Sequence, residues 1–149
     1  MPTRMTLSPR SKTFLFNGVK ISFTIEHVPK AQKRHKFGRG YVYDPSKKDK
    51  TAILPLFCRH TSSLTTAGAL SVALAFYMPI PKSYTKKKKA LMQDETYPHT
   101  NTPDVDNMVK FYLDCFPFND KVIYKIKARK IYSPRPRVEI DIETKKIPS

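Results

Sequence analysis

The sequence of 149 residues has no tryptophan, two cysteines, four glycines and only twelve acids. Cys58 and Cys115 are far apart, so neither a disulfide framework nor a thiolate metal cluster can be drawn from them. Each sits among apolar neighbours and is expected to pack as a small hydrophobe, in a reducing, intracellular setting. No run of about 18 apolar residues exists, so no transmembrane helix is expected. The opening MPTRMTLSPRSK is basic but lacks a following apolar stretch of signal-peptide length, so secretion is not expected. A hydrophobic fraction of 40% with 11% aromatics excludes a fully disordered or collagen-like chain.

What the sequence has in quantity is positive charge. Lysine and arginine number 28, and the formal net charge is +16, against about 2–8 for an ordinary small domain. Such a chain attracts polyanions through a long-range, salt-dependent field. Nucleic acid is the leading partner and an anionic membrane surface the second; the plain alternative is a merely soluble basic surface. The acids are unevenly placed. Six of the twelve (Asp94, Glu95, Asp104, Asp106, Asp114 and Asp120) fall in 27 residues that hold one base, Lys110. Carboxylates facing phosphates repel them unless a cation lies between, and carboxylate and phosphate oxygens are what hard Mg²⁺ prefers. Neutralisation of nearby lysines is the other reading.

Periodicity places the elements. Val19 to His27 alternates, with Val19, Ile21, Phe23 and Ile25 on one face of a half-buried strand. A basic loop with Gly38 and Gly40 follows; its Phe37, Tyr41 and Tyr43 suit base stacking, with core packing expected for at least one of them. Asp44 as N-cap and Pro45 at the first position start a helix to about Arg59, which Pro55 is expected to kink or end early. Leu70 to Tyr77 reads as a strand covered on both faces. Lys82 to Lys89 opens a short helix. Asp104 to Phe116 is an amphipathic helix, with Val105, Met108, Val109, Tyr112, Leu113 and Phe116 as its stripe. Lys121 to Tyr132 and Val138 to Ile142 are strands, expected to pair as a hairpin across Ser133–Pro136. The order predicts an α+β fold: one small domain over residues 1–149, with a mixed sheet of about four strands and helices on one face. Its core spans about 19–143, between a basic segment 1–17, where Phe14 to Phe16 suit an edge strand, and a tail 144–149.

The stretch TPDVDNMVKFYLDCFPFND holds the chemistry-bearing residues. Asp104, just outside the helix, and Asp106, in its first turn, can converge at the helix mouth; Asp120 reaches the same end only through the fold. Three such carboxylates suit Mg²⁺ in a phosphoryl-transfer site, with Lys110 one turn along to stabilise developing charge. The ordinary alternative makes Asp104 a helix cap, Asp106–Lys110 an i,i+4 pair and Asp120 a turn residue.

DVDNMVKFYLD (Asp104–Asp114), followed by Asn119, Asp120 and Lys121, resembles the RusA family of Holliday junction resolvases, with its D-x-D-N-x-x-K-x-x-x-D helix and a D-D or N-D pair before a strand. FTIEHVPKAQKRHKFGRGYVYDPS (Phe23–Ser46), MPIPKSYTKKKK (Met78–Lys89) and Arg135 to Ile142 extend the likeness, which covers roughly residues 21–143. The chain departs from the family at Asn119, where Asp is common, at Val122, where Gln is frequent, and in a short stretch without Gly between Asp114 and Asp120. The resemblance implies a homodimeric, Mg²⁺-dependent endonuclease, with Mn²⁺ as a substitute, that nicks four-way DNA junctions symmetrically. It places the metal ligands on Asp104, Asp106 and Asp120 and the functional lysine on Lys110. Phosphate contacts are expected from Lys33, Arg34, Lys36, Arg39, Lys86, Lys87, Lys88 and Lys89. The alternative function is a non-catalytic basic DNA- or RNA-binding protein.

Overall fold

Alternation of side chains builds the sheet, and the apolar rows decide which strands lie inside it. The computed structural model describes residues 19–145 apart from 39, 63 and 65–67, so the proposed edge strand at Phe14–Phe16 and the residue Arg39 lie outside the described residues. In β1 (Lys20–Ile25), Phe23 and Ile25 are buried while Lys20, Ser22 and Thr24 are exposed. A small hairpin follows, β2 (Lys36–Gly38) with β3 (Tyr41–Tyr43). Then come α1 (Lys47–Thr61), β4 (Ala69–Pro79), α2 (Lys86–Leu91), α3 (Val105–Leu113), a 3₁₀ turn (Asp120–Val122), β5 (Ile123–Ser133) and β6 (Arg137–Lys145). The α+β reading is correct. The last strand runs to Lys145, two residues into the expected tail.

The four-stranded sheet has the order β1-β6-β4-β5, with β4 antiparallel to β6 and parallel to β5. The expected β5–β6 hairpin is therefore wrong: β4 lies between them. The reason is physical. Val138, Ile140 and Ile142 of β6, like Leu70, Val72 and Phe76 of β4, are fully buried, so these strands take the centre. Lys125, Lys127 and Arg129 suit β5 to an edge. The connection Ser133-Pro134-Arg135-Pro136 bends at Pro134 and Arg135, where Ser133 Oγ accepts from the Arg135 N–H at 2.9 Å and donates to its carbonyl at 3.1 Å, and the chain returns on the far side of β4. The other face of β4 was expected to be covered. Instead Ser71, Ala73 and Ala75 are half-buried, and Ala73 and Ala75 floor an open trough between Lys127 and Arg129 on one side and Glu139 and Asp141 on the other.

On the covered face, α3 buries Met108, Phe111 and Tyr112, and α1 buries Ile53 and Phe57. Phe57 sits among Phe23, Tyr112 and Phe116, with ring centroids 5.4, 6.5 and 5.0 Å away. This packing carries α1 through Pro55 to Thr61, two residues past the expected end at Arg59, so Pro55 does not end it early. The helix also starts later than expected, because Ser46 takes the N-cap position and the Asp44 carboxylate accepts from the Ser46 N–H at 2.8 Å. Cys115 is a buried small hydrophobe whose thiol is pushed up to about 12 by burial. Cys58 contradicts the same expectation: it falls on the outer side of α1 and is exposed.

One polar cluster closes the end of the sheet. The buried Arg137 guanidinium donates to Glu95 at 2.7 and 3.2 Å and to Glu139 at 3.0 Å, over the Tyr77 ring. Hydrogen bonds from Arg137 and Ser133 hold the Glu95 carboxyl down at about 2. A carboxyl lowered in the folded state adds stability that is complete above its unfolded value and lost as pH falls through the folded one. Glu95→Gln is expected to cost about 2 kcal/mol at pH 7. The cost should shrink below about pH 4.5 and vanish near pH 2. Urea unfolding of both proteins at pH 7 and pH 3 checks this; an equal penalty at both pH values contradicts it.

Candidate active site

The mouth of α3 is built from both sides. Lys130 of β5 donates from Nζ to the carbonyls of Asn101 and Pro103, both at 2.6 Å, and so fixes the residues that lead into Asp104. Burial lowers the Lys130 ammonium, while the nearby Asp104 charge opposes that shift. The Tyr132 hydroxyl accepts from Asn101 Nδ2 at 3.1 Å and lies 3.5 Å from the Tyr84 hydroxyl, just ahead of α2. The lysine-bearing helix α2 and the mouth of α3 are thus tied to the same end of the sheet. Asp104 is the N-cap residue, with extended backbone, yet its side chain makes no capping hydrogen bond. An Asp at this position ordinarily accepts from the first-turn N–H groups. Asp106 is exposed in that first turn and, among the described residues, forms no salt bridge with Lys110 or any other base. The two ordinary roles, cap and i,i+4 partner, are therefore both unfilled. Two hard-oxygen donors are left free at a positive helix end, a donor set that fits Mg²⁺.

One flank of α3 is polar. Asn107, Lys110 and Asp114 line a cleft with Gln32, Lys33, Arg34, His35, Asp44 and Lys50. The basic loop is held there by the Gln32 N–H, which donates to the Asn107 carbonyl at 2.9 Å, and by the Lys33 N–H, which donates to Ser46 Oγ at 3.0 Å. The Tyr112 hydroxyl accepts from the Lys30 N–H at 3.0 Å and lies 2.7 Å from His27 Nε2. Lys50 bridges Asp44 and Asp114 at 2.8 and 2.7 Å. Burial alone would raise the Asp44 carboxyl, but hydrogen bonds from Lys50, Ser46 and Gln32 outweigh it and hold the group at about 2. Lys50, Gln32, Lys130 and Tyr132 escaped sequence reasoning, since nothing in their local pattern sets them apart from ordinary helix, loop and strand residues. Asp114 carried a signal, four residues after Lys110, but its partner is Lys50.

Lys33, Arg34 and Lys36 are exposed on the loop and β2, as are Lys86, Lys87 and Lys88 on α2; Lys89 is half-buried. Phe37 is 84% exposed and Tyr41 60%, and Val42 and Tyr43 are also exposed. None of the three aromatics packs in the core, contrary to the expectation for at least one of them. The β2–β3 hairpin has only three residues per strand, and Phe37, Tyr41 and Tyr43 stand exposed on it.

Asp120 is placed elsewhere. It opens the 3₁₀ turn before Ile123, while Asp104 lies by Lys130. Seven residue steps of strand, about 23 Å of extended chain, separate Ile123 from Lys130. The structure thus brings Asp104 and Asp106 to one end of β5 and leaves Asp120 beyond its other end. Among the described residues, no three His, Cys, Asp or Glu side chains come close enough to share an ion.

Comparison with known proteins bears on this arrangement directly. Residues 26–143 match the family model of the endodeoxyribonuclease RusA. The chain belongs to the RusA endodeoxyribonuclease family. It is an endonuclease of the Holliday junction resolvase type, and the matched span takes in the basic loop, α2, α3 and Asp120. The chain is also 32% identical over 134 residues to the uncharacterized protein YqaN of Bacillus subtilis (strain 168), covering 82% of this chain and 94% of the relative. No helix among the described residues is long and apolar enough to cross a membrane.

Proposed function

We propose that the protein, as a homodimer, nicks four-way DNA junctions symmetrically in a Mg²⁺-dependent reaction, with Asp104, Asp106 and Asp120 as the metal ligands. The observation that carries this reading is the pair of free carboxylates at the α3 mouth, at the same end of the sheet as α2. Asp104 and Asp106 would hold the ion, with Asp120 reaching the set from the second chain of the homodimer. The ion supplies a polarised phosphate and an acidified water when bound. Lys110, one turn above Asp106, sets a positive charge beside the reacting phosphate. Lys33, Arg34, Lys36, Arg39 and Lys86 to Lys89 grip the backbone without reading sequence, so junction shape rather than base order governs binding. A synthetic four-way junction incubated with Mg²⁺, and separately with chelator, tests this. Paired symmetric nicks only with the metal support it. Salt-sensitive binding with no nicks in Mg²⁺ or Mn²⁺ would instead establish a non-catalytic DNA-binding protein.

The aromatic hairpin adds selectivity. Phe37 projects from a basic strand next to the active-site cleft, where an unpaired base can stack on it. Phe37→Ala is expected to weaken junction binding by about 1–3 kcal/mol while leaving duplex binding nearly unchanged. Titration of both DNAs at one salt concentration measures the difference; equal losses on the two would assign Phe37 a general role instead.

A further inference from the structure

A strap, residues 97–103, runs along the edge strand β5 and delivers the chain to the mouth of α3. The Tyr132 N–H donates to the Tyr97 carbonyl at 3.0 Å, Pro98 bridges Ile131, and the His99 N–H donates to the Lys130 carbonyl at 3.1 Å. Beyond His99, among the described residues, no further backbone bond ties the strap to β5. The Lys130 side chain takes over there, with Nζ donating to the carbonyls of Asn101 and Pro103. The second of these oxygens belongs to the peptide unit that ends at the Asp104 nitrogen.

An ammonium is a costly group for this task. The register of β5 with β4 puts Lys130 opposite Phe76, which is fully buried, on the helix-covered side of the sheet. Lys130 is half-buried there, while Lys125, Lys127 and Arg129 of the same strand are exposed. Among the described residues Lys130 has no salt-bridge partner. Its charge is drawn partly out of water and set against two neutral carbonyls. The acid whose charge reaches it is Asp104. A neutral donor could tie two carbonyls; a cation beside Asp104 does more than tie.

We propose that Lys130 is a positioning residue of the metal site: it fixes the last carbonyls ahead of Asp104 and so directs that carboxylate off the helix cap and toward a cation, while touching neither the ion nor the DNA itself. This rests on the reading of Asp104 and Asp106 as metal ligands. Asp104 holds the cap position with an extended backbone, yet it makes no capping bond, which an Asp there ordinarily does. The chain just ahead of it is the segment that Lys130 holds. The Lys130 ammonium is already committed to two carbonyls, unlike the exposed lysines of α2, so a phosphate is not its partner. Groups that orient a metal ligand from behind are worth about 10–100-fold in metal affinity or activity.

Lys130→Met in the full chain keeps a long unbranched side chain and removes its charge and donors. It is expected to weaken Mn²⁺ binding, followed by electron paramagnetic resonance, by about 10–100-fold. Junction nicking should need correspondingly more Mg²⁺ and return to near the wild-type rate once the metal saturates. Junction binding in chelator should keep both its affinity and its salt dependence. Asp104→Asn supplies the reference background, on which Lys130→Met should change Mn²⁺ binding by less than about twofold, because the lysine acts through the Asp104 carboxylate. Wild-type Mn²⁺ affinity in Lys130→Met, with a loss in Asp104→Asn, overturns the proposal alone. Weaker junction binding in chelator, with a salt slope lower by about one, makes Lys130 a phosphate contact and overturns it. A nicking defect that saturating Mg²⁺ leaves in place assigns the lysine to the reaction itself and also overturns it, as does an equal loss of Mn²⁺ affinity with and without the Asp104 carboxylate. A Mn²⁺ site as tight in Asp104→Asn as in the wild type overturns the metal-ligand reading, and the proposal with it. If circular dichroism shows Lys130→Met unfolded, Lys130→Gln, which keeps a donor without the charge, is held to the same outcomes.

Discussion

Asp106→Asn is expected to lower junction nicking by roughly 10³-fold or more while binding to the same junction is retained or strengthened. The substitution keeps the shape of the side chain and removes one hard anionic donor. Asp106 forms no salt bridge among the described residues and is exposed, so no buried partner is stranded and the fold should be indifferent. The change in stability should stay within about 0.5 kcal/mol. Removal of a negative charge from a surface that meets phosphates favours binding. Single-turnover nicking and a gel-shift titration, run on one preparation, separate the two effects. Unchanged nicking would show that the chemistry lies elsewhere on the chain; equal loss of nicking and binding would reduce Asp106 to a structural residue.

Phe57→Ala carries the largest expected loss of stability, about 3–5 kcal/mol. The ring is fully buried and touches one aromatic from β1, one from α3 and one just beyond it. Its removal leaves a cavity where α1 meets the sheet, and α1 holds Lys50 against Asp44 and Asp114. Against a typical domain stability of about 5–15 kcal/mol, such a loss is a large fraction of the total. Urea unfolding at pH 7 should show a lower midpoint with an unchanged slope; an unfolding free energy within about 0.5 kcal/mol of wild type would mean that the site collapses to fill the space. Junction nicking of the fraction still folded should be normal, because Phe57 lies in the core and not at the α3 mouth.

Much of this arrangement is legible in the order of residues, and the exceptions have physical causes. The α3 stripe and the strand alternations at Phe23–Ile25, Leu70–Phe76 and Val138–Ile142 are strong because each element buries one row against a common core. Local pattern does not encode which strands are neighbours. That depends on which rows are fully buried and on how the lysines of β5 tolerate an edge, and so the hairpin expectation failed. An early helix end at Pro55 and a buried Cys58 failed for a related reason. Tertiary packing of Ile53, Phe57 and Thr61 outweighs one lost helical hydrogen bond and turns Cys58 outward. At the site, the spacing of Asp104, Asp106 and Lys110 shows a helix mouth, and their freedom from partners emerges only when the neighbours are in place. The position of Asp120 depends on β5 running away from the α3 mouth, a property of the whole crossover rather than of any short segment.

The most direct test is a crystal of the full chain soaked in Mn²⁺ and measured for anomalous scattering. The account predicts a peak within about 2.0–2.3 Å of carboxylate oxygens of both Asp104 and Asp106, with Asp120 of a second copy turned toward it. A peak held by other acids, such as Asp44 with Asp114, or a well-ordered helix mouth with no peak at all, would contradict it.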